Sequence, residues 1–489
     1  MFAEEYHIMS ELGNRRSVDL FGATSIVVAN MIGTGVFTSL GYQLFGIQTG
    51  FGIAMIWLVG GVLAFCGAVC YAELATRFPE DGGEYYFLGK IYHPAVGFIA
   101  GFVSSTVGFA APIAGAALAL GAYLKGVFWG LEVPVDGANA AVSVVSWYDK
   151  LLSPDYLIAV VVILIITGIH WWNARLGIDF QKGSTVLKIS MMVLFIVAGL
   201  YFGNQDVDFR PSSASMNELF GLSSSSQGPN SGEIPWWQPS WITGAFAISL
   251  VWVSFAFSGW NASTYIAGTI VRPEKNLSRS IIAGTLTVTV LYVLLNMVFL
   301  KSAPIAALMG VKEVGLVAAQ SLLGNSIGGL MGGIISLLLV STISSMVFAG
   351  PRVLATMFES IPATVGLAQR EADGNPRKAI VVQLLITLVL LYAMDFPQLI
   401  YYIAFTLSLF TMLTVLGMVW LRIKQGKPSG YRALGYPVTP LLFLSATFLV
   451  AMFFIDQKPT ESAYGLSTIL LGAVFYGLSK MSITKSQSN

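Results

Sequence analysis

Two stretches of this chain interrupt an apolar run near its middle. One reads Ala29-Asn30-Met31-Ile32-Gly33-Thr34-Gly35-Val36-Phe37, the other Val253-Ser254-Phe255-Ala256-Phe257-Ser258-Gly259-Trp260-Asn261. Glycine weakens a helix by up to about 1 kcal/mol relative to alanine, so each is a place where a helix can break. A break frees N–H groups on one half and C=O groups on the other. The N–H end carries positive partial charge and suits a carboxylate, and the C=O end suits an ammonium. Two facing breaks can therefore grip a small zwitterion by backbone alone. Any single glycine pair of this kind also serves close helix packing; the matched pair, one in each half of the chain, points beyond packing.

The third residue with chemical potential is Lys188. It stands six residues past Lys182 and is followed by the uncharged run 189–201, so it lies roughly 9 Å deeper at the helical rise per residue. No Asp or Glu falls in the central part of any apolar run. An ammonium so placed either gives up its proton, finds carbonyl and hydroxyl ligands, or snorkels to the inner surface. Ser344 and Ser345 are candidate hydroxyls. Intramembrane charges usually serve function, which makes Lys188 a candidate functional residue.

Other signals lead nowhere. Gly324-Asn325-Ser326-Ile327-Gly328 fits the nucleophile-elbow pattern, but it opens a membrane helix rather than following a strand. His7, His93 and His170 fall in or near inner segments, across the bilayer from Ser326, and lack metal-ligand spacing. His170, before Trp171-Trp172, reads as an interfacial anchor. No phosphate-binding loop is present. The chain is expected to be no enzyme and to use no cofactor and no metal.

The elements that position these residues follow from composition. Of 489 residues, 55% are hydrophobic and only 10% charged, against about 25% charged in a soluble domain. Net charge is +1, which gives no case for nucleic acid. Cys66 and Cys70 lie in one apolar segment, so no outer disulfide framework is expected. A membrane helix needs about 20 apolar residues, and twelve candidate spans emerge: 18–43, 51–76, 94–125, 154–173, 183–203, 241–268, 279–301, 327–352, 378–395, 397–421, 436–455 and 462–480. Span 1 is too long for a signal-peptide core and reads as retained. Gly97, Gly101, Gly108, Pro112 and Gly115 in span 3 read mainly as close packing.

With the N-terminus inside, nineteen of the 26 Lys and Arg fall in inner segments and six in outer ones, Lys188 being the remaining one. This asymmetry puts both termini in the cytoplasm. Two outer connections are long, 126–153 and 204–240; the second holds the low-complexity run 223–232. Segment 302–326 is expected to carry a short interfacial helix. The expected organisation is one membrane transport domain: an inner N-terminus over 1–17, a first half over 18–203, the outer loop 204–240, a second half over 241–421, two further helices over 436–480, and an inner tail over 481–489.

These residues resemble the amino acid–polyamine–organocation superfamily of transporters. Ile32-Gly33-Thr34-Gly35-Val36-Phe37 is similar to its G-S/T-G-I/V-F break. Tyr71-Ala72-Glu73-Leu74-Ala75-Thr76-Arg77-Phe78-Pro79 with Gly82-Gly83-Glu84-Tyr85 is similar to its most specific motif. Pro273-Glu274-Lys275-Asn276, Gly350-Pro351-Arg352 and Gly435-Tyr436-Pro437-Val438-Thr439-Pro440 follow in order, so the resemblance covers nearly the whole chain. It implies an all-α, twelve-helix fold of the LeuT type, with a five-plus-five inverted repeat and two C-terminal helices. It also implies alternating-access transport of amino acids or related amines across the plasma or inner membrane, as exchanger or proton symporter.

Phe255-Ala256-Phe257-Ser258-Gly259-Trp260-Asn261 resembles the F-A-Y-G-G-W-N stretch of the L-type amino-acid transporters. By that likeness Phe255 is the aromatic gate, the backbone at 255–259 takes the substrate ammonium, and the backbone at 33–36 takes its carboxylate. Asn261 stands where exchangers of basic amino acids or amines often carry Glu, which implies a neutral substrate. Ser258 replaces a glycine of the family and narrows the space there. Lys188 falls where sodium-coupled relatives bind the ion, which implies sodium independence and makes Lys188 the coupling residue and a candidate carrier of the proton. Segment 126–153 has no Cys, so no disulfide-linked ancillary subunit is expected. The partners implied are an amino acid and the lipid bilayer. The alternatives are an exchanger of basic amino acids or amines and, from another class, a membrane amino-acid sensor without sustained flux.

Overall fold

A computed structural model of the chain describes residues 18–130, 147–172, 174–220, 244–359, 365–369, 371 and 375–487. The N-terminal segment 1–17 and the low-complexity run 223–232 lie outside the described residues, as does most of 126–153. Among the described residues the regular structure is helical, apart from one bridge between Val18 and Ile270.

Ten described helices are long and apolar enough to cross a membrane. They cover the expected spans 1–5, 7, 8 and 10–12. The other two expected spans are shorter as helices: Gly244–Ala256, which ends at a break, and the 17-residue Arg377–Ala393. Several ends follow from local chemistry. Span 1 begins at Leu20 because the Asp19 carboxylate caps the Gly22 N–H at 2.8 Å. Span 10 begins at Phe396 behind a capping box of Asp395 and Gln398. Span 7 starts at Pro273 rather than 279, since a proline suits the first helical turn. In span 3 the turns Ser104–Ala110 widen into a π-helix just before Pro112, whose missing N–H removes a helical bond. Segment 302–326 holds the short helix Ile305–Leu308 and the start of a helix at Val314, which passes a kink at Gly324 (φ 79°) and runs on as span 8 to Glu359.

The spans pack in two groups. Span 7 lies along spans 1 and 2, and span 6 packs on spans 1 and 2. Span 8 lies along spans 3 and 4, and span 9 packs on both of these. One continuous buried core joins the groups, running from Val27 and Val36 through Trp57 and Tyr123 to Trp252 and Ile343.

Two motifs of the sequence meet at the C-terminal end of span 2. The Glu73 carboxylate is buried, accepts from the Arg422 Nε at 2.8 Å and from the second guanidinium arm, and also takes the Ala433 N–H at 2.8 Å. The Arg422 guanidinium stacks 4.0 Å from the Tyr436 ring centroid. A buried carboxylate is tolerable only with such a full set of partners, which explains why Glu73 and the 435–440 segment belong to one pattern.

Candidate functional site

Span 1 is not continuous. Its first half, Leu20–Met31, stops at Ile32 (φ −74°, ψ 86°), and the second, Thr34–Gln43, starts after the extended Gly33 (φ −127°, ψ −148°). No side chain caps the second half, so the first-turn N–H groups of Thr34, Gly35 and Val36 carry the positive end of its dipole. All three residues are buried, as is Ile32.

Span 6 stops at Ala256, turns through residues 257–261, and resumes as the 3-10 segment Ala262–Thr269. Gly259 has φ +99°, and a Cβ on it would stand 2.9 Å from the Asn30 carbonyl oxygen. Only glycine fits that combination. The Phe255 carbonyl is used by the Ser258 N–H at 3.0 Å and the Gly259 carbonyl by the Ala262 N–H at 2.9 Å. Among the described residues, neither the Phe257 nor the Ser258 carbonyl accepts a backbone hydrogen bond.

The two breaks touch. A Cβ on Gly35 would lie 2.4 Å from the Ala256 Cα, so Gly35 brings the backbones of spans 1 and 6 into direct contact. Tyr292 of span 7 ties them further: its hydroxyl donates to the Met31 carbonyl, and lies 3.1 Å from the Ala256 carbonyl oxygen. One O–H cannot serve both acceptors at full strength, so Tyr292 sits as a shared clamp between the ends of two half-helices. It escapes notice in sequence because a lone tyrosine in an apolar helix is ordinary.

The anticipated side chains do not all face one gap. Phe255 is largely buried in the core cluster. Phe257 is fully buried, edge-on to Tyr292 with ring centroids 5.1 Å apart and 6.2 Å from Trp57. Ser258 is half-buried. Asn261 directs its amide to the short helix Glu84–Ile91, donating to Glu84 Oε1 at 3.4 Å. That carboxyl also receives the Tyr71 hydroxyl at 2.5 Å.

Lys188 is completely buried. Its Nζ lies 2.9 Å from Thr342 Oγ1, 3.2 Å from the Ile32 carbonyl oxygen and 3.5 Å from that of Ala29. It therefore occupies the C-terminal, negative end of the first half of span 1, with a hydroxyl from span 8. The hydroxyl expected from Ser344 or Ser345 comes instead from Thr342. Ser345 bonds back to the Thr342 carbonyl at 2.8 Å. Ser344 lies 2.8 Å from His170 Nε2. His170 is thus not the interfacial anchor its Trp-Trp neighbours suggested: it is 2% exposed, because helical periodicity turns it inward onto span 8 while Trp172 faces out. The sequence Ser341-Thr342-Ile343-Ser344-Ser345 offers four hydroxyls, and only the packing of span 5 on span 8 selects among them.

Among the described residues no group of His, Cys, Asp and Glu is arranged to hold a metal ion.

Residues 18–476 match the amino acid permease family. The chain is 26% identical over 479 residues to the large neutral amino acids transporter small subunit 2 of Mus musculus, covering 95% of this chain and 81% of that protein. It is 24% identical over 477 residues to a serine/threonine exchanger of Bacillus subtilis, covering 96% of this chain and 98% of that protein. It is likewise 24% identical over 467 residues to the b(0,+)-type amino acid transporter 1 of Mus musculus, covering 95% of this chain and 88% of that one. Broken helices 1 and 6, an all-helical multi-pass architecture and a family match over nearly the whole length converge on one conclusion: the chain belongs to the amino acid permease family, on the L-type branch of the amino acid–polyamine–organocation transporters, and is a membrane transporter rather than an enzyme.

Proposed function

We propose that the chain carries neutral amino acids across the cytoplasmic membrane without sodium, by alternating access, as an exchanger or proton symporter. The substrate carboxylate docks on the free N–H groups of Thr34, Gly35 and Val36 beside Ile32 and Gly33. Its ammonium docks on the carbonyls of the turn that spans Phe255, Ala256, Phe257, Ser258 and Gly259. Phe255 closes over the substrate, and Asn261, whose amide rests on Glu84 in this structure, lies beside its side chain. The serine/threonine exchanger among the matched proteins supports this reading.

The observation that carries sodium independence is the Lys188 ammonium, held by the Ile32 carbonyl and the Thr342 hydroxyl. When protonated, Lys188 neutralises the negative end of the first half of span 1, which is what a bound metal ion would do. The two packing groups support rocking of spans 1, 2, 6 and 7 against spans 3, 4, 8 and 9, which the proposed five-plus-five repeat would relate. Both termini lie in the cytoplasm, by the distribution of Lys and Arg. No disulfide-linked partner is required, since Cys66 and Cys70 are both buried.

The test is uptake into proteoliposomes with sodium replaced by choline. Unchanged uptake is expected; strict sodium dependence would overturn the assignment of Lys188. Competition by all twenty amino acids together with agmatine and putrescine identifies the substrate, and inhibition by arginine or the amines alone would overturn the neutral class. Binding without counterflow would make the chain a sensor.

A further inference from the structure

Glu84 opens the short helix Glu84–Ile91 between spans 2 and 3, and the transport cycle proposed above gives it no task. It is 3% exposed. Its Oε1 accepts the Tyr71 hydroxyl at 2.5 Å and the Asn261 amide at 3.4 Å. Tyr71 in turn is packed edge-on by Trp260 and Phe87, with ring centroids at 4.7 and 6.3 Å. A carboxyl in such an aromatic enclosure has no ion partner among the described residues. The nearby charges are engaged elsewhere. Lys90 of the same short helix lies over the Tyr86 ring, Asp81 accepts the Gly268 N–H at 2.8 Å, and Glu73 is bound to Arg422. The titratable groups that face Glu84 are Tyr71 from span 2 and Tyr265 from the inner half of span 6. Span 10 brings Thr414 to Tyr71, and span 3 brings Ser104 to Tyr265. Among the described residues Glu84 thus sits in an uncharged enclosure, and its hydrogen bond to the substrate region runs to Asn261.

We propose that Glu84 is a proton-binding site that controls the Asn261 amide, and through it the affinity of the span 6 break for substrate. The inference rests on the placement of Asn261 at the substrate side chain. As a carboxylate, Glu84 is a strong acceptor and holds the Asn261 amide on itself, since bonds to an ionised acceptor are about twice as strong as neutral ones. Taking one proton from water weakens that hold and leaves the amide free to meet the substrate. Releasing the proton to water on the cytoplasmic side restores it. Burial places the exchange in the physiological range: it raises the carboxyl from 4.5 to about 7, against the opposing pull of the Tyr71 bond.

The experiment measures the affinity of the full-length protein for leucine, serine and threonine in detergent between pH 5.5 and 8.5, for wild type, Glu84→Gln and Tyr71→Phe. Wild-type affinity is expected to fall about tenfold as pH rises through 7, within the usual range of site-to-site coupling. Glu84→Gln, permanently neutral, should lose that dependence and keep the low-pH affinity. Tyr71→Phe deletes a bond that favours the carboxylate, so its transition should move to higher pH. A Glu84→Gln profile that still falls through pH 7 overturns the proposal, as does a flat wild-type profile. So does a Glu84→Gln effect confined to arginine and amine binding, which would make Glu84 a recogniser of cationic substrates. Failure of the wild type to bind any amino acid at any pH would instead count against the transport function itself. Thermal melting of each variant separates misfolding from lost affinity, and Tyr71→Phe leaves the carboxyl in place should Glu84→Gln not fold.

Discussion

Gly35 and Ala256 meet backbone to backbone at the crossing of the two broken helices: a Cβ on Gly35 would lie 2.4 Å from the Ala256 Cα and 2.7 Å from its Cβ. The contact sets how far apart the free N–H groups of span 1 and the free carbonyls of span 6 stand, and so, in the binding mode proposed above, the length of molecule that would bridge them.

Gly35→Ala should therefore open this crossing. Overpacking of this kind costs about 1–3 kcal/mol. Part of that falls on the site rather than the fold, so substrate affinity should drop about tenfold or more, by the rule of 1.4 kcal/mol per decade. Binding measured alongside thermal melting checks it; a variant with wild-type affinity would show that the crossing does not set the site.

Lys188→Met removes the ammonium but keeps a chain of similar length. The Ile32 and Ala29 carbonyls and the Thr342 hydroxyl lose their donor, and buried acceptors left bare cost about 1–3 kcal/mol. Uptake should fall by about tenfold or more, with little recovery in Lys188→Arg, whose planar guanidinium does not reproduce the ammonium's point geometry. Uptake assays at fixed pH decide the matter. If proton movement accompanies uptake, it should vanish in Lys188→Met even where residual uptake remains.

Tyr292→Phe deletes the clamp on the Met31 and Ala256 carbonyls without changing shape. The loss of one shared hydrogen bond is expected to cost about 1 kcal/mol of stability. Affinity should weaken more than melting does, because both freed carbonyls belong to half-helix ends at the breaks.

Glu73→Gln leaves Arg422 and the Ala433 N–H facing a neutral amide. Breaking one side of a buried pair costs about 3–5 kcal/mol, so expression or melting should suffer strongly. The double variant Glu73→Gln with Arg422→Met should recover part of that loss. Equal damage in the single and double variants would mean that the pair itself contributes little and the loop contact matters more.

Glu84 makes a separate statement about pH and stability. Its folded-state pKa, raised by burial from 4.5 to about 7, means that the folded chain binds this proton more tightly than the unfolded chain. Its contribution is most favourable below pH 4.5 and declines as pH rises to 7, above which it is constant. The melting temperature of Glu84→Gln relative to wild type should accordingly rise between pH 5 and pH 8. A difference that does not change with pH would show the carboxyl to be ionised throughout.

Much of this architecture is legible in the residues. Membrane spans announce themselves because apolar length and charge scarcity are direct readouts of the bilayer, and both breaks coincide with Gly33-Thr34-Gly35 and Ser258-Gly259, where a helix is weakest. Lys188 stands out for the same reason: an isolated charge in an apolar run is costly in a bilayer and rare there. What only the tertiary structure decides is which groups meet. Thr342 rather than Ser344 serves Lys188, His170 turns inward, Tyr292 spans both breaks, and Glu84 reaches Asn261 across 177 positions of chain. Periodicity places a side chain on a helix face. The partner on that face depends on how two helices cross and slide past each other, and a shift of one turn, about 5.4 Å, is enough to exchange one hydroxyl for another.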